Sequence, residues 1–153
     1  MAVRSEKNFN ISDTLVIGSK LFISKTSVDG SCKRVEIMFA NIKDDLKFNS
    51  FKLFDECASI GIGAGRMAKF NFNGQEGILL TTNDSDNDVP GNKAQNNNSI
   101  FGKIVFINLN TKETEIFSKG HRNAQGLAVM KNIILSTEHG PRGGDELNRI
   151  YHN

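Results

Sequence analysis

The chain has 153 residues, of which 24% are charged and 38% hydrophobic, and its formal net charge is +2. That is enough chain for one domain with a core of its own, and its apolar runs are too short for a membrane-spanning helix. The 19 basic side chains are scattered among 17 acidic ones, with no basic stripe and no aromatic–basic platform, so nucleic acid is not an expected partner.

The opening segment, MAVRSEKNFNISD, turns polar soon after Arg4 and predicts no export signal, because the apolar middle of such a signal is missing. Short runs bounded by Gly, Asn or Asp then predict strands at Leu21–Lys25, Val35–Ile42, Met67–Phe72, Gly77–Thr82, Lys103–Leu109, Thr114–Phe117, Gly126–Met130, Ile133–Thr137 and Leu147–Tyr151. No amphipathic helix competes with them, and Lys43–Phe54 is not expected to hold a helix of three turns. Ile78-Leu79-Leu80 and Ile133-Ile134-Leu135 are apolar without alternation, as expected of strands covered on both faces. The Asn-rich stretch Asn83–Asn98 has the composition of a loop. Its Asp84, Asp86 and Asp88 invite a calcium reading, but the other positions of an EF-hand do not follow, and a solvated inter-strand loop fits as well. Cys32 and Cys57 have neither CxxC nor metal-type spacing, so two separate thiols and one bridge both remain open.

The runs also recur in order. KLFISKT at Lys20, GILLTTN at Gly77 and NIILSTE at Asn132 align at offsets of 57 and 55 residues. A period of about 55 residues carrying about four short strands is the spacing of propeller blades. The expected fold is therefore all-β, a partial β-propeller of about three four-stranded antiparallel blades. The units are about 11–56, 63–118 and 120–153, the last incomplete. About 2.8 blades cannot close a ring of roughly 4–8 blades. The chain is thus expected to be a piece of a longer protein, a reading that the strand beginning at Glu146 and stopping near Tyr151 favours, or to assemble from copies. Uncovered blade faces predict self-association.

The last quarter carries the chemistry. GHRNAQG, from Gly120 to Gly126, is followed by EHGPRGGDELN, from Glu138 to Asn148. Donors, acceptors and closely approachable backbone are concentrated there on turns, as in a binding site. Taken separately, Gly140-Pro141-Arg142-Gly143-Gly144 also reads as a wide turn and His121 as a capped loop histidine.

The pair resembles the signature of the glucose/sorbosone dehydrogenase family, soluble six-bladed propellers that bind pyrroloquinoline quinone (PQQ) and calcium and oxidise aldoses. One departure is visible, Ala124 where relatives usually have proline. Weaker similarity runs back through Ala94–Thr111, Gly77–Asp84, Gly63–Phe70 and Leu21–Ile42. The resemblance implies a small-molecule aldose as substrate, an electron acceptor it does not identify, and a periplasmic or secreted location for the parent protein. The family is mostly exported, which favours the Cys32–Cys57 bridge.

By position in the family's motif, Arg122 and Asn123 would contact the quinone and His139 its edge, with Gln125 supporting that loop. PQQ is a planar ortho-quinone with three carboxylates, and the permanently charged fork of an arginine suits its oxygens. Gly140 and Pro141 match positions whose main-chain oxygens bind the cofactor's calcium. Asp145 and Glu146 fall where relatives place ligands to a structural calcium, and a pair of solvated loop acids is the other reading.

No catalytic residue is assigned. Relatives carry a base histidine four residues before the arginine that corresponds to Arg66, and Ile62 stands there. Isoleucine accepts no proton. Two readings follow: a PQQ- and calcium-dependent sugar dehydrogenase, of which this chain alone is expected to be inactive, or a non-catalytic propeller module that binds a sugar or a protein partner.

Overall fold

The computed structural model describes residues 9–44, 46–58, 63–84, 92–140 and 143–152. Ile62, Asp86, Asp88, Pro141 and Arg142, named above, lie outside them. The architecture is all-β: three antiparallel sheets consistent with a partial propeller. The first sheet contains β1 (Phe9–Ile17), β2 (Lys20–Asp29), β3 (Cys32–Asn41) and β4 (Asn49–Lys52), paired in that order. The second contains β5 (Ala64–Phe72), β6 (Gln75–Thr82), β7 (Lys103–Asn108) and β8 (Thr114–Lys119), again in sequence. The third has three strands, β9 (Ala124–Met130), β10 (Ile133–His139) and β11 (Asp145–Ile150), with β10 central.

Every expected run falls on a strand to within a residue, and two strands were not expected. In β1, a bulge at Ser12 interrupts the alternation, and polar Asn10, Ser12 and Asp13 read as loop. The four residues of β4 pair only with β3, too short a stretch to show a period. The turn between β5 and β6 needs left-handed backbone at Asn73 and Gly74, with φ of 52° and 78°, and Asn-Gly is the pair that tolerates it. Between β6 and β7, the Asn-rich loop holds one helical turn, α1 (Asn92–Gln95).

The unbroken apolar runs of the second sheet have a simple cause: it is packed on both faces. Ile78, Leu80, Val105 and Ile107 face the first sheet and join Phe22, Val35 and Ile37. Leu79, Ile104 and Phe106 face the third and join Phe117, Ile134 and Ile150. Alternation persists in the direction of each side chain while both directions are dry. Replacing Leu79, fully buried, with alanine should destabilise the chain by about 2–5 kcal/mol, read as a shift of the urea midpoint at unchanged slope.

Cys32 and Cys57 are bridged, with Cα atoms 5.2 Å apart, and the neighbouring Lys33 and Ala58 exchange two backbone hydrogen bonds of 2.9 Å. The bridge ties the chain beyond β4 to the start of β3.

The sheets meet along their first strands: β1 touches β5, and β5 touches β9. Each of these strands carries a bulge, at Ser12, at Gly65–Arg66 and at Gln125. A bulge leaves backbone groups out of the ladder, and Arg66 collects them. Its Nη1 donates to Ser12 O at 2.8 Å and its Nε to Gln125 O at 2.8 Å. The Arg66 amide, itself out of the ladder, donates to Thr81 Oγ1 at 3.0 Å, and that hydroxyl donates to Ala124 O at 2.9 Å. Asp13 Oδ2 accepts from the Met67 amide at 2.8 Å.

Lys103 opens β7 with its side chain fully buried. Its Nζ donates to the carbonyls of Lys93, Ala94 and Phe101 at 2.7, 3.0 and 2.8 Å, two of them carbonyls of the short helix α1. Burial lowers its pKa from 10.5 to about 8, against the raising influence of Glu56 and Asp84. The folded value lies below the unfolded one, so the penalty for burying the charge is complete below about pH 8 and relieved as pH rises toward 10.5. Stability relative to Lys103→Met should therefore climb across that window in denaturation curves, and a flat difference would contradict the buried ammonium.

Candidate functional site

The segment from Gly120 to Asn123 is threaded between the second and third sheets by its own backbone. Gly120 N donates to Ala94 O at 3.0 Å, His121 N donates to Gly102 O at 3.0 Å, and Arg122 O accepts from Asp84 N at 2.7 Å. His139 N donates to Asn123 O at 3.2 Å, which brings the two signature segments side by side at one end of β9 and β10.

A buried carboxylate holds the junction. Glu138, 5% exposed, accepts from His121 Nδ1 at 2.9 Å and Asn148 Nδ2 at 2.7 Å on Oε1, and from the Arg122 amide at 3.1 Å on Oε2. Burial pushes this carboxyl up, but the hydrogen bond and charge of His121, with the bonds from Asn148 and Arg122, outweigh it and hold the group below its usual value. Since the Glu138 carboxylate only accepts, His121 Nδ1 carries a proton, and the other ring nitrogen, Nε2, is hydrogen-bonded to Ser118 Oγ at 3.0 Å. Serine, histidine and glutamate are thus connected as in a nucleophilic triad. All three are buried, so the array is a structural relay instead.

Above this relay lie the exposed groups. Arg122 Nη1 donates to Gly140 O at 2.7 Å and His139 O at 3.3 Å. Gln125 Nε2 donates to Asn123 Oδ1 at 2.7 Å. Arg66 Nη2 reaches Gln125 Oε1 at 3.4 Å, and a Cβ on Gly63 would lie 2.9 Å from Asn123 Oδ1. Gly63 therefore borders this surface. His139 Nδ1 and Asp145 Oδ1 are 2.9 Å apart, both exposed. Gly140 is packed so closely that a Cβ would meet Gly144 O at 2.2 Å, which explains why no larger residue stands there.

Arg122, Asn123, Gln125, His139, Gly140 and Asp145 thus share one surface. Glu146 lies opposite Glu138 across the β10–β11 ladder, and its Oε2 accepts from Asn148 Nδ2 at 3.1 Å. Among the described residues, no three His, Cys, Asp or Glu side chains form a metal-holding cluster. A cavity of about 70 Å³ opens among Gln125, Thr137, Glu138, His139 and Asp145. A larger groove of about 270 Å³, lined in part by Ile17, Phe22, Phe39 and Leu109, holds none of these residues. Sequence reasoning did not assign roles to Glu138 or Arg66. The signal for Glu138 was a charged residue in phase with apolar Ile134, on what proves to be the buried face of β10; for Arg66 there was none, because its partners come from other sheets.

Antiparallel sheets stacked in chain order define a partial propeller, and comparison with known proteins gives the family. Residues 18–153 match the glucose/sorbosone dehydrogenase family model, and the chain belongs to that family. The aldose sugar dehydrogenase YliI of Escherichia coli is 32% identical over 72% of this chain and 33% of its own length. An uncharacterized protein of Synechocystis sp. is 37% identical over 49% of this chain and 24% of its own. The chain therefore spans a quarter to a third of the curated relatives it matches. No solved structure matches it significantly.

Removing the donor from the relay tests its energetics. His121→Ala should cost about 3–5 kcal/mol, the range for stripping a partner from a buried charge, measured by chemical denaturation at neutral pH. Because the folded Glu138 value lies below the ordinary 4.5, its contribution is present above that pH and lost as pH falls through the folded value. His121→Ala should therefore lose less stability on acidification than the unmodified chain.

Proposed function

We propose that the protein takes part in sugar oxidation with PQQ and calcium, the hydride leaving the anomeric carbon of an aldose. The observation that carries this reading is the Arg122 contact. A guanidinium fork for anionic oxygens and two backbone carbonyls able to hold a cation sit side by side, the donor set a calcium-chelated tricarboxylate requires. In this structure the guanidinium caps Gly140 O; an anionic ligand that drew Arg122 onto its own carboxylates would free that oxygen for calcium, and the residues present fit the group in that arrangement.

In this reading Arg122 and Asn123 contact the quinone and His139 its edge, while Gln125 fixes the Asn123 amide. Gly140 and Pro141 offer main-chain oxygens to the cofactor's calcium, and Asp145 and Glu146 serve a structural calcium. Bound PQQ supplies the hydride acceptor, with calcium polarising its carbonyl. The chain's own contribution is charge and orientation: Arg122 neutralises carboxylate, and its fixed backbone removes much of the entropy of ordering. The Cys32–Cys57 bridge supports an exported, oxidising location, and exposed Met130 and Leu147 on the third sheet support packing against further blades or a second copy.

A second reading, a non-catalytic module binding a sugar or a protein, is favoured by Ile62, which offers no proton acceptor. Reconstitution separates the two. Adding PQQ and calcium to the full-length parent should shift the cofactor absorbance, and an aldose should then reduce a dye. A shift without reduction selects the second reading, and no shift overturns the quinone.

Arg122→Ala should weaken PQQ binding by about one to two decades, the loss of a charge-assisted hydrogen bond worth roughly 1.5–3 kcal/mol. Ile62→His should leave that affinity nearly unchanged and raise sugar oxidation, since general-base catalysis contributes about 10²–10⁴-fold. Flat turnover in a protein that already oxidises aldoses efficiently would show that another residue is the base.

A further inference from the structure

We infer that Glu138 is the positioning residue of this site: its buried carboxylate fixes the root of Arg122 and so holds the guanidinium at the carbonyls of His139 and Gly140, preorganised for an anionic ligand. The identity of that ligand rests on the quinone reading; the positioning rests on this chain's own contacts.

Glu138 lies on the core-facing side of β10, in phase with buried Ile134 and Ser136. An apolar side chain would pack that face without the cost of burying a charge. What an apolar side chain could not do is accept hydrogen bonds. Glu138 takes His121 Nδ1 and Asn148 Nδ2 on one oxygen, with Ser136 Oγ at 3.5 Å, and the Arg122 amide on the other. His121 and Arg122 are consecutive, so one carboxylate grips the chain where the Arg122 side chain departs. The Arg122 carbonyl is held in turn by the Asp84 amide at 2.7 Å. With the peptide groups on both sides fixed, the guanidinium reaches Gly140 O at 2.7 Å from a fixed origin. Less freedom is then left to lose when an anion arrives.

Two measurements test the inference. Amide hydrogen exchange by NMR reads the clamp without ligand: Glu138→Met should speed exchange at the Arg122 amide by about tenfold or more, while the Leu79 amide in the core ladder stays within about twofold. Glu138→Gln, a neutral acceptor of the same shape, should fall between, and carries both measurements if Glu138→Met does not fold. PQQ titration of the full-length parent with calcium should then show about tenfold weaker binding in the Glu138 variant, and no further weakening when the same change is made in Arg122→Ala. Unchanged exchange at Arg122, or equal weakening with and without the Arg122 side chain, overturns the inference, because Glu138 would then act only on the fold. If the unmodified full-length parent binds no PQQ in this titration, the quinone reading fails, and exchange at Arg122 alone decides the positioning.

Discussion

Arg66 is the contact on which the arrangement depends. Each sheet presents its first strand to the others, and each of those strands is bulged at the same end. A bulge frees backbone groups that the ladder can no longer satisfy, and a buried unsatisfied carbonyl is expensive. The guanidinium carries five donors in a rigid fork, and it spends them on Ser12 of the first sheet and Gln125 of the third while standing on the second. Hydrophobic faces hold sheets together without dictating their register; this fork fixes how the three sheets sit at their inner edge.

The candidate site is built outward from that point. Gln125 is both a partner of Arg66 and the holder of the Asn123 side chain, so the bulge in β9 passes directly into the ligand-facing turn. Glu138 does the corresponding work from β10, joining His121, Arg122 and Asn148. The exposed polar groups of the candidate site therefore hang from polar groups that are buried or half-buried, where a lower local dielectric strengthens each bond.

Burial acts on Lys103 and Glu138 with contrasting outcomes. The Lys103 ammonium donates to neutral carbonyls, burial outweighs the influence of Glu56 and Asp84, and its pKa falls to about 8, toward the neutral form. Glu138 is buried too, but the hydrogen bond and charge of its partner His121 overcome the same penalty and its value falls below the ordinary one, toward the charged form. The lysine ties down a helical turn and a strand start; the glutamate ties two signature segments to each other.

The sequence by itself determined the element type and the repeat. Runs such as Ile78-Leu79-Leu80 return at about 55 residues; that one is dry on both faces between two stacked sheets, whereas in its counterpart Ile133-Ile134-Leu135, on the last sheet, only Ile134 is fully buried. The turn chemistry of the last quarter also marked Arg122, Asn123 and His139 as groups that packing does not call for. Tertiary structure alone decided the rest. β1 escaped notice because its bulge breaks the alternation that signals a strand, and the bulge is stabilised by Arg66, 54 residues away. Glu138 reads as one more acid in a polar motif until folding surrounds it with His121, Arg122 and Asn148. A side chain's role here follows from which donors and acceptors converge on it, and residues converging from different sheets leave no period or spacing in the chain.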